Sequence, residues 1–173
     1  MTATVFVDTN VFVYARDTRE PRKQQAAAAW IRRLWIEQSG RTSLQVLNEY
    51  YVTVTRKLEP ALAADAAWDD VSALLAWEPQ EIDRGVLSRT REIERHHSLS
   101  WWDSMIVAAA QMQNCSVLLS EDLQHGLVCE TLRIVNPFFE GVAEERADYA
   151  AQPKPASRHR PRGRPRRAAL ATA

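Results

Sequence analysis

Long apolar runs are missing from this sequence. No stretch approaches the ~18 residues that a membrane-crossing helix needs, which sets aside membrane-spanning functions. The N-terminus has no basic segment followed by an apolar core, so no secretory leader is expected and the chain reads as cytoplasmic. Cysteine is scarce. Cys115 and Cys129 lack the spacing of a metal site and cannot build a disulfide framework. Cys115 falls between an expected helix and strand, where packing is the simpler role. Histidine and cysteine clusters, internal repeats and hairpin turn signals are absent too.

What is present suits one soluble α/β domain. The chain has 173 residues, 46% of them hydrophobic and 25% charged, enough for a sizeable core. The formal net charge of zero is a balance of two unlike parts. Residues 152 to 173 hold Lys154, Arg158, Arg160, Arg162, Arg164, Arg166 and Arg167 and no acid, leaving 15 basic residues against 22 acidic ones before them. The body is therefore net acidic and the tail basic. The tail also holds four of the eight prolines. We expect a domain over 1–145 and a basic, disordered tail over 146–173.

Strand and helix signals alternate along the body. TVFV at 4–7 is β-branched and aromatic, as a first strand should be, and Thr9 or Asn10 is placed to cap a short helix through Tyr14. Pro21 opens a helix that Gly40 ends. Thr42 centres a very short second strand. Ser43 caps a helix over 44–57 with Leu47, Tyr50, Tyr51, Val54 and Leu58 in one stripe. Pro60 opens a helix over 61–76 with Leu62, Ala66, Trp68, Leu74 and Leu75 as its apolar positions, and EPQEI at 78–82 reads as a short strand. Helices follow over 84–96 and from Ser100 to 113. SVLLS at 116–120 and LRIVN at 132–136 are the remaining strands. The alternation predicts a mainly parallel central sheet flanked by helices on both sides.

Acids fall where such a sheet binds ligands, outside the carboxyl ends of its strands. Asp8 follows the first strand, and Glu121 and Asp122 follow SVLLS. Glu49 and Asp103 sit near helix starts expected to face the same rim. Each has a plain alternative: Asp8 and Asp122 as turn residues, Glu49 as a solvated helical acid, Asp103 as the fourth member of an S-x-x-D capping box. Crowded carboxylates repel one another and need a counter-charge. No arginine stands beside Asp8, Asp103 or Asp122 in sequence. Oxygen donors without His or Cys suit a hard divalent ion, Mg²⁺ or Mn²⁺, and the chemistry that follows is phosphodiester hydrolysis.

VFVDTNVFVYA, SLQVLNEYY, WWDSMIVAAA and LLSEDLQHG, in that order, resemble the four acidic motifs of the PIN-domain family, and most of all its VapC-type toxins from bacterial VapBC toxin–antitoxin pairs. The resemblance spans about residues 3–139. It implies a PIN-like α/β fold and Mg²⁺- or Mn²⁺-dependent endoribonuclease activity. By position, Asp8, Glu49, Asp103 and Asp122 match the metal-site acids, with Asp8 and Asp103 as direct ligands, Glu49 ligating or orienting a water, and Asp122 holding a ligand, a water or a second ion. Asn10 and Ser120 match supporting polar positions. Many relatives show Thr-x-Asp in the fourth motif. Here Ser120-Glu121-Asp122 aligns Asp122 with that acid, leaving Glu121 to point away. The resemblance further implies an RNA substrate, a small antitoxin partner whose C-terminal segment covers the acidic groove, and a homodimer. Trp101 and Trp102 fit core packing, or a stacking contact with an RNA base.

PRGRPRR at 161–167 resembles the core of an AT-hook, which lays arginines in the DNA minor groove. A generic basic arm attracting any nucleic acid is the simpler reading. Arg160, Arg162, Arg164, Arg166 and Arg167 are the candidate contacts. Two other functions stay open on the residues: a non-catalytic nucleic-acid-binding protein that uses this tail, and a nuclease of the same motifs acting on DNA.

Overall fold

A computed structural model describes residues 3–139. The tail arginines from Arg160 to Arg167, and the domain boundary near residue 145, lie outside the described residues.

Val5–Val7 forms β1, and all three side chains are buried. It pairs in parallel on both sides, with β2 (Gly40–Arg41) and with β3 (Val117–Leu119). β3 pairs in parallel with β5 (Leu132–Val135), and β5 pairs antiparallel with β4 (Val128–Cys129). The sheet order is β2-β1-β3-β5-β4. A strand flanked on both sides in a parallel sheet is covered on both faces, which explains the unbroken apolar run at β1.

Six α-helices and a short 3₁₀ helix (Leu75–Trp77) complete the described chain: α1 (Thr9–Tyr14), α2 (Pro21–Glu37), α3 (Leu44–Arg56), α4 (Ala64–Leu74), α5 (Arg84–His97) and α6 (Trp101–Met112). Ser43 caps α3 by accepting the Val46 N–H, and Leu47, Tyr50 and Val54 turn inward from it. In α6 the run from Ser104 to Ala110 is buried throughout.

Several expectations are corrected. The second strand is Gly40–Arg41 and not centred on Thr42, whose hydroxyl instead donates to the Val7 carbonyl at 3.3 Å. The 78–82 segment makes no strand. It contributes one parallel bridge, Gln80 to Ser43. α4 starts at Ala64, because Leu62 folds back to donate its N–H to the Val54 carbonyl at 2.8 Å. Its buried face is Ala67, Val71 and Leu74, spaced i, i+4 and i+7, while Trp68 and Leu75 are exposed. The β4–β5 hairpin had no turn signal in the sequence. Its left-handed residue is Glu130 rather than glycine or asparagine, and an ion pair to Arg89 ties that residue down.

Gly40 is required by a close approach. A Cβ there would lie 2.6 Å from ring carbons of Trp77, which is buried between Phe12 and Trp35. Gly40→Ala is expected to lower stability by about 1–3 kcal/mol through overpacking. Urea denaturation measures it, and an unchanged midpoint would contradict the packing described.

Candidate active site at the carboxyl end of the sheet

Register brings the first two site residues together. Val7 of β1 lies opposite Leu119 of β3, so the next residues, Asp8 and Ser120, leave adjacent parallel strands side by side. The ladder runs one step further, with the Asp8 N–H donating to the Leu119 carbonyl at 3.0 Å. Both side chains are buried, Asp8 at 3% exposure.

Asp8 has two duties. Its Oδ1 accepts the Thr9 N–H at 2.7 Å, so Asp8 itself caps α1, where Thr9 or Asn10 was expected to. Its Oδ2 accepts the Ser120 hydroxyl at 2.7 Å and Asn10 Nδ2 at 3.1 Å. A buried carboxylate needs such donors to remain charged.

Asn10 is the hub. Besides Asp8, its Nδ2 reaches Ser120 Oγ at 3.3 Å and Asp122 Oδ2 at 3.0 Å, while its Oδ1 accepts the Glu121 N–H at 3.2 Å. The amide orientation follows from this set, since acceptors surround one end and a donor meets the other. Asp8 and Asp122 therefore lie within two hydrogen-bond lengths of each other. Glu121 turns to Lys23, whose Nζ lies 2.5 Å from Glu121 Oε1. Burial opposes the Lys23 ammonium, but hydrogen bonds with Glu121 and Tyr14 outweigh it and hold its pKa above the usual lysine value.

Glu49 joins the same network from α3. Its Oε2 accepts the Thr9 hydroxyl at 3.1 Å, and its Oε1 accepts Gln45 Nε2, also at 3.1 Å. Sequence reading missed Thr9 and Gln45 as partners of Glu49. Gln45 carried a signal, because four residues apart on a helix means one face. Its own Oε1 is buried with no hydrogen-bond partner in the structure.

Asp103 occupies the first turn of α6. That helix ends just before β3, so its length of roughly 18 Å carries its start back toward the carboxyl end of the sheet. The capping arrangement is half of a capping box. Ser100 Oγ accepts the Asp103 N–H at 3.1 Å, but Asp103 Oδ2 takes the Ser100 hydroxyl at 2.7 Å rather than a backbone N–H. The structure thus joins Asp8, Asn10, Ser120 and Asp122 directly and Glu49 through Thr9, and gives Asp103 a separate partner. Among the described residues, no three His, Cys, Asp or Glu side chains form a group arranged to hold a metal ion. Trp101 packs against the core margin and Trp102 is exposed.

The donor set is oxygen-only, with one carboxylate pair at its centre. That chemistry fits Mg²⁺ or Mn²⁺, since Mg²⁺ commonly takes one or two carboxylates and keeps several waters. Asp8 and Asp122 are the pair that would hold it.

The model of the PIN domain matches residues 5–130 of the chain. Solved structures are also similar to the chain, two of them as follows. One is a toxin–antitoxin complex from Klebsiella pneumoniae, with 18% identity and a TM-score of 0.55, covering 78% of this chain and 98% of that one. The other is VapC20 from Mycobacterium tuberculosis, a sarcin–ricin-loop-cleaving toxin, with 17% identity and a TM-score of 0.46, covering 66% and 87%. At these identities the likeness is one of fold. No curated protein matches the sequence.

Proposed function

The chain belongs to the PIN-domain family, and from that premise we propose that it is a Mg²⁺- or Mn²⁺-dependent endoribonuclease that acts as the toxin of a toxin–antitoxin pair. The observation that carries the proposal is the Asn10 amide, which binds Asp8, Ser120 and Asp122 at the ends of two adjacent parallel strands. A turn acid or a helix cap needs no such convergence.

Each residue has a task in this reading. Asp8 and Asp122 would hold the ion, and Ser120, Asn10 and the Thr9 N–H fix the Asp8 carboxylate. Asp103, whose carboxylate accepts the Ser100 hydroxyl, would supply a further ligand. Glu49, gripped at both oxygens, orients the attacking water. A divalent ion held there would supply a lowered pKa for water and offset charge on the phosphodiester oxygens.

RNA is the proposed substrate, in a structured form such as tRNA. Metal-activated water has no need of a 2′-OH, so DNA is the comparison arm of the assay. The proposed antitoxin is a small protein that covers the acidic rim. Pairing of two copies through helix faces is part of the same proposal, as is nucleic-acid contact by the tail arginines. Trp35 and Ile36 on α2 and Trp68 on α4 are exposed, and apolar side chains of this kind suit a protein–protein contact.

Chelation is the first test. Cleavage of structured RNA, read on gels, should vanish in EDTA and return when Mg²⁺ or Mn²⁺ is added in excess. Cleavage that persists in EDTA overturns the metal-dependent reading.

A further inference from the structure

Next to the acidic rim lies a cluster of different chemistry, aromatic and cationic. Lys23, in the first turn of α2, places Nζ 3.1 Å from the Tyr14 hydroxyl as well as against Glu121. The ammonium also sits 4.3 Å from the centroid of the Tyr14 ring and 5.5 Å from that of Phe138. Those two rings meet edge to face at 5.0 Å. Phe139 then lies parallel to the His125 imidazole, with centroids 4.8 Å apart and planes 8° apart. His125 is oriented by the Asn136 N–H, which donates to its Nδ1 at 3.0 Å, so the neutral ring carries its proton on Nε2.

The cluster is attached to the segment that bears Asp122. Glu121 precedes that residue, His125 follows it by three, and Asn10 binds both the Glu121 N–H and the Asp122 carboxylate. Tyr14 and Phe138 are half-buried at the core margin, where packing accounts for them. Phe139 is different. It is 51% exposed although one face is stacked. A flat ring so placed is a platform for a second flat ring. Lys23 adds the complementary charge. An ammonium has three donors, and Glu121 and Tyr14 account for two of them.

We propose that Phe139, backed by His125, and Lys23 form a nucleotide subsite beside the acidic rim, in which an unpaired base stacks on Phe139 and its phosphate meets the third donor of Lys23. The ligand class is single-stranded RNA, or a loop or bulge whose base is already out of the stack. A continuous duplex keeps its base faces covered and has none to offer. The subsite deepens the nuclease reading and rests on it, for it says which part of a structured RNA is gripped next to the acids.

The test uses the full chain and fluorescence anisotropy in EDTA, with a short single-stranded RNA and a duplex of the same length as probes. Phe139→Ala should weaken single-strand binding about tenfold and leave duplex binding unchanged, while Phe139→Trp retains it. Lys23→Gln should reduce the salt dependence of single-strand binding by about the ~0.7 expected for one phosphate contact. Under cleaving conditions, Phe139→Ala should raise KM and spare kcat. Equal losses on both probes, no loss on either, or a loss of self-association alone would overturn the subsite, the last by making Phe139 part of a protein interface. The two readings separate cleanly. Stacking-dependent binding without metal-dependent cleavage sinks the nuclease and keeps the subsite. Cleavage with unchanged KM and affinity in Phe139→Ala does the reverse.

Discussion

Asp8→Asn is expected to lower RNA cleavage by more than ~100-fold, beyond the ~10–100-fold typical of groups that only support a metal ligand, while thermal stability stays level or rises. The replacement keeps the side-chain shape but changes what it offers. Asp8 accepts at both oxygens, from Thr9 on one and from Ser120 and Asn10 on the other. Asparagine can keep the Thr9 bond and the helix cap. Its own NH₂ then confronts that of Asn10, although the Ser120 hydroxyl can rotate to accept. Against this, the substitution removes the repulsion between Asp8 and Asp122, which share the Asn10 donor. With loss and gain opposed, the fold should survive. Gel assays of cleavage beside calorimetry separate the outcomes. Parental activity in the variant would remove Asp8 from the mechanism. Loss of the fold would make the carboxylate a structural cap.

The largest loss of stability is expected away from the rim. Trp77 is 4% exposed and packs against Phe12 at 5.8 Å and Trp35 at 5.2 Å between centroids. It lies over the backbone of Gly40, so it ties α1 and α2 to the β2 edge of the sheet. Trp77→Ala should cost about 3–5 kcal/mol, the range for removing a large buried ring. Trp68→Ala is the matched control, because Trp68 is 57% exposed and a surface substitution typically shifts stability by less than ~0.5 kcal/mol. Urea titrations of the two variants give the difference directly. Equal midpoints would refute the packing assigned to Trp77.

Trp68 and Trp77 also show where sequence reading was weakest. Both are tryptophans in a helical context, and sequence alone leaves each open as core or surface. The buried stripe of α4 runs Ala67, Val71 and Leu74 at i, i+4 and i+7, and Trp68 lies about 100° round the helix from Ala67. The hairpin was hidden because Glu130 holds its left-handed turn with help from Arg89, far away in sequence. Local signals fared better. The β-branched run at Val5–Val7, the cap at Ser43 and the apolar α6 were legible because short-range physics decides them. The site was legible in part. Motif order placed Asp8 and Asp122 on one rim, and parallel topology turned that order into proximity. Lys23 gave no sign, for nothing in the sequence relates it to Glu121, 98 positions on.

Both margins of the sheet are short. β2 and β4 each contain two residues, and β4 runs against the direction of its neighbour. A visiting strand would find little ladder to extend on either side. Strand addition, one of the common ways a peptide joins a folded domain, is therefore poorly served. A protein that recognises this one has helical surfaces and the acidic rim to work with. Resistance to edge-to-edge growth also fits a chain whose acidic body and basic tail would otherwise draw copies together at low salt.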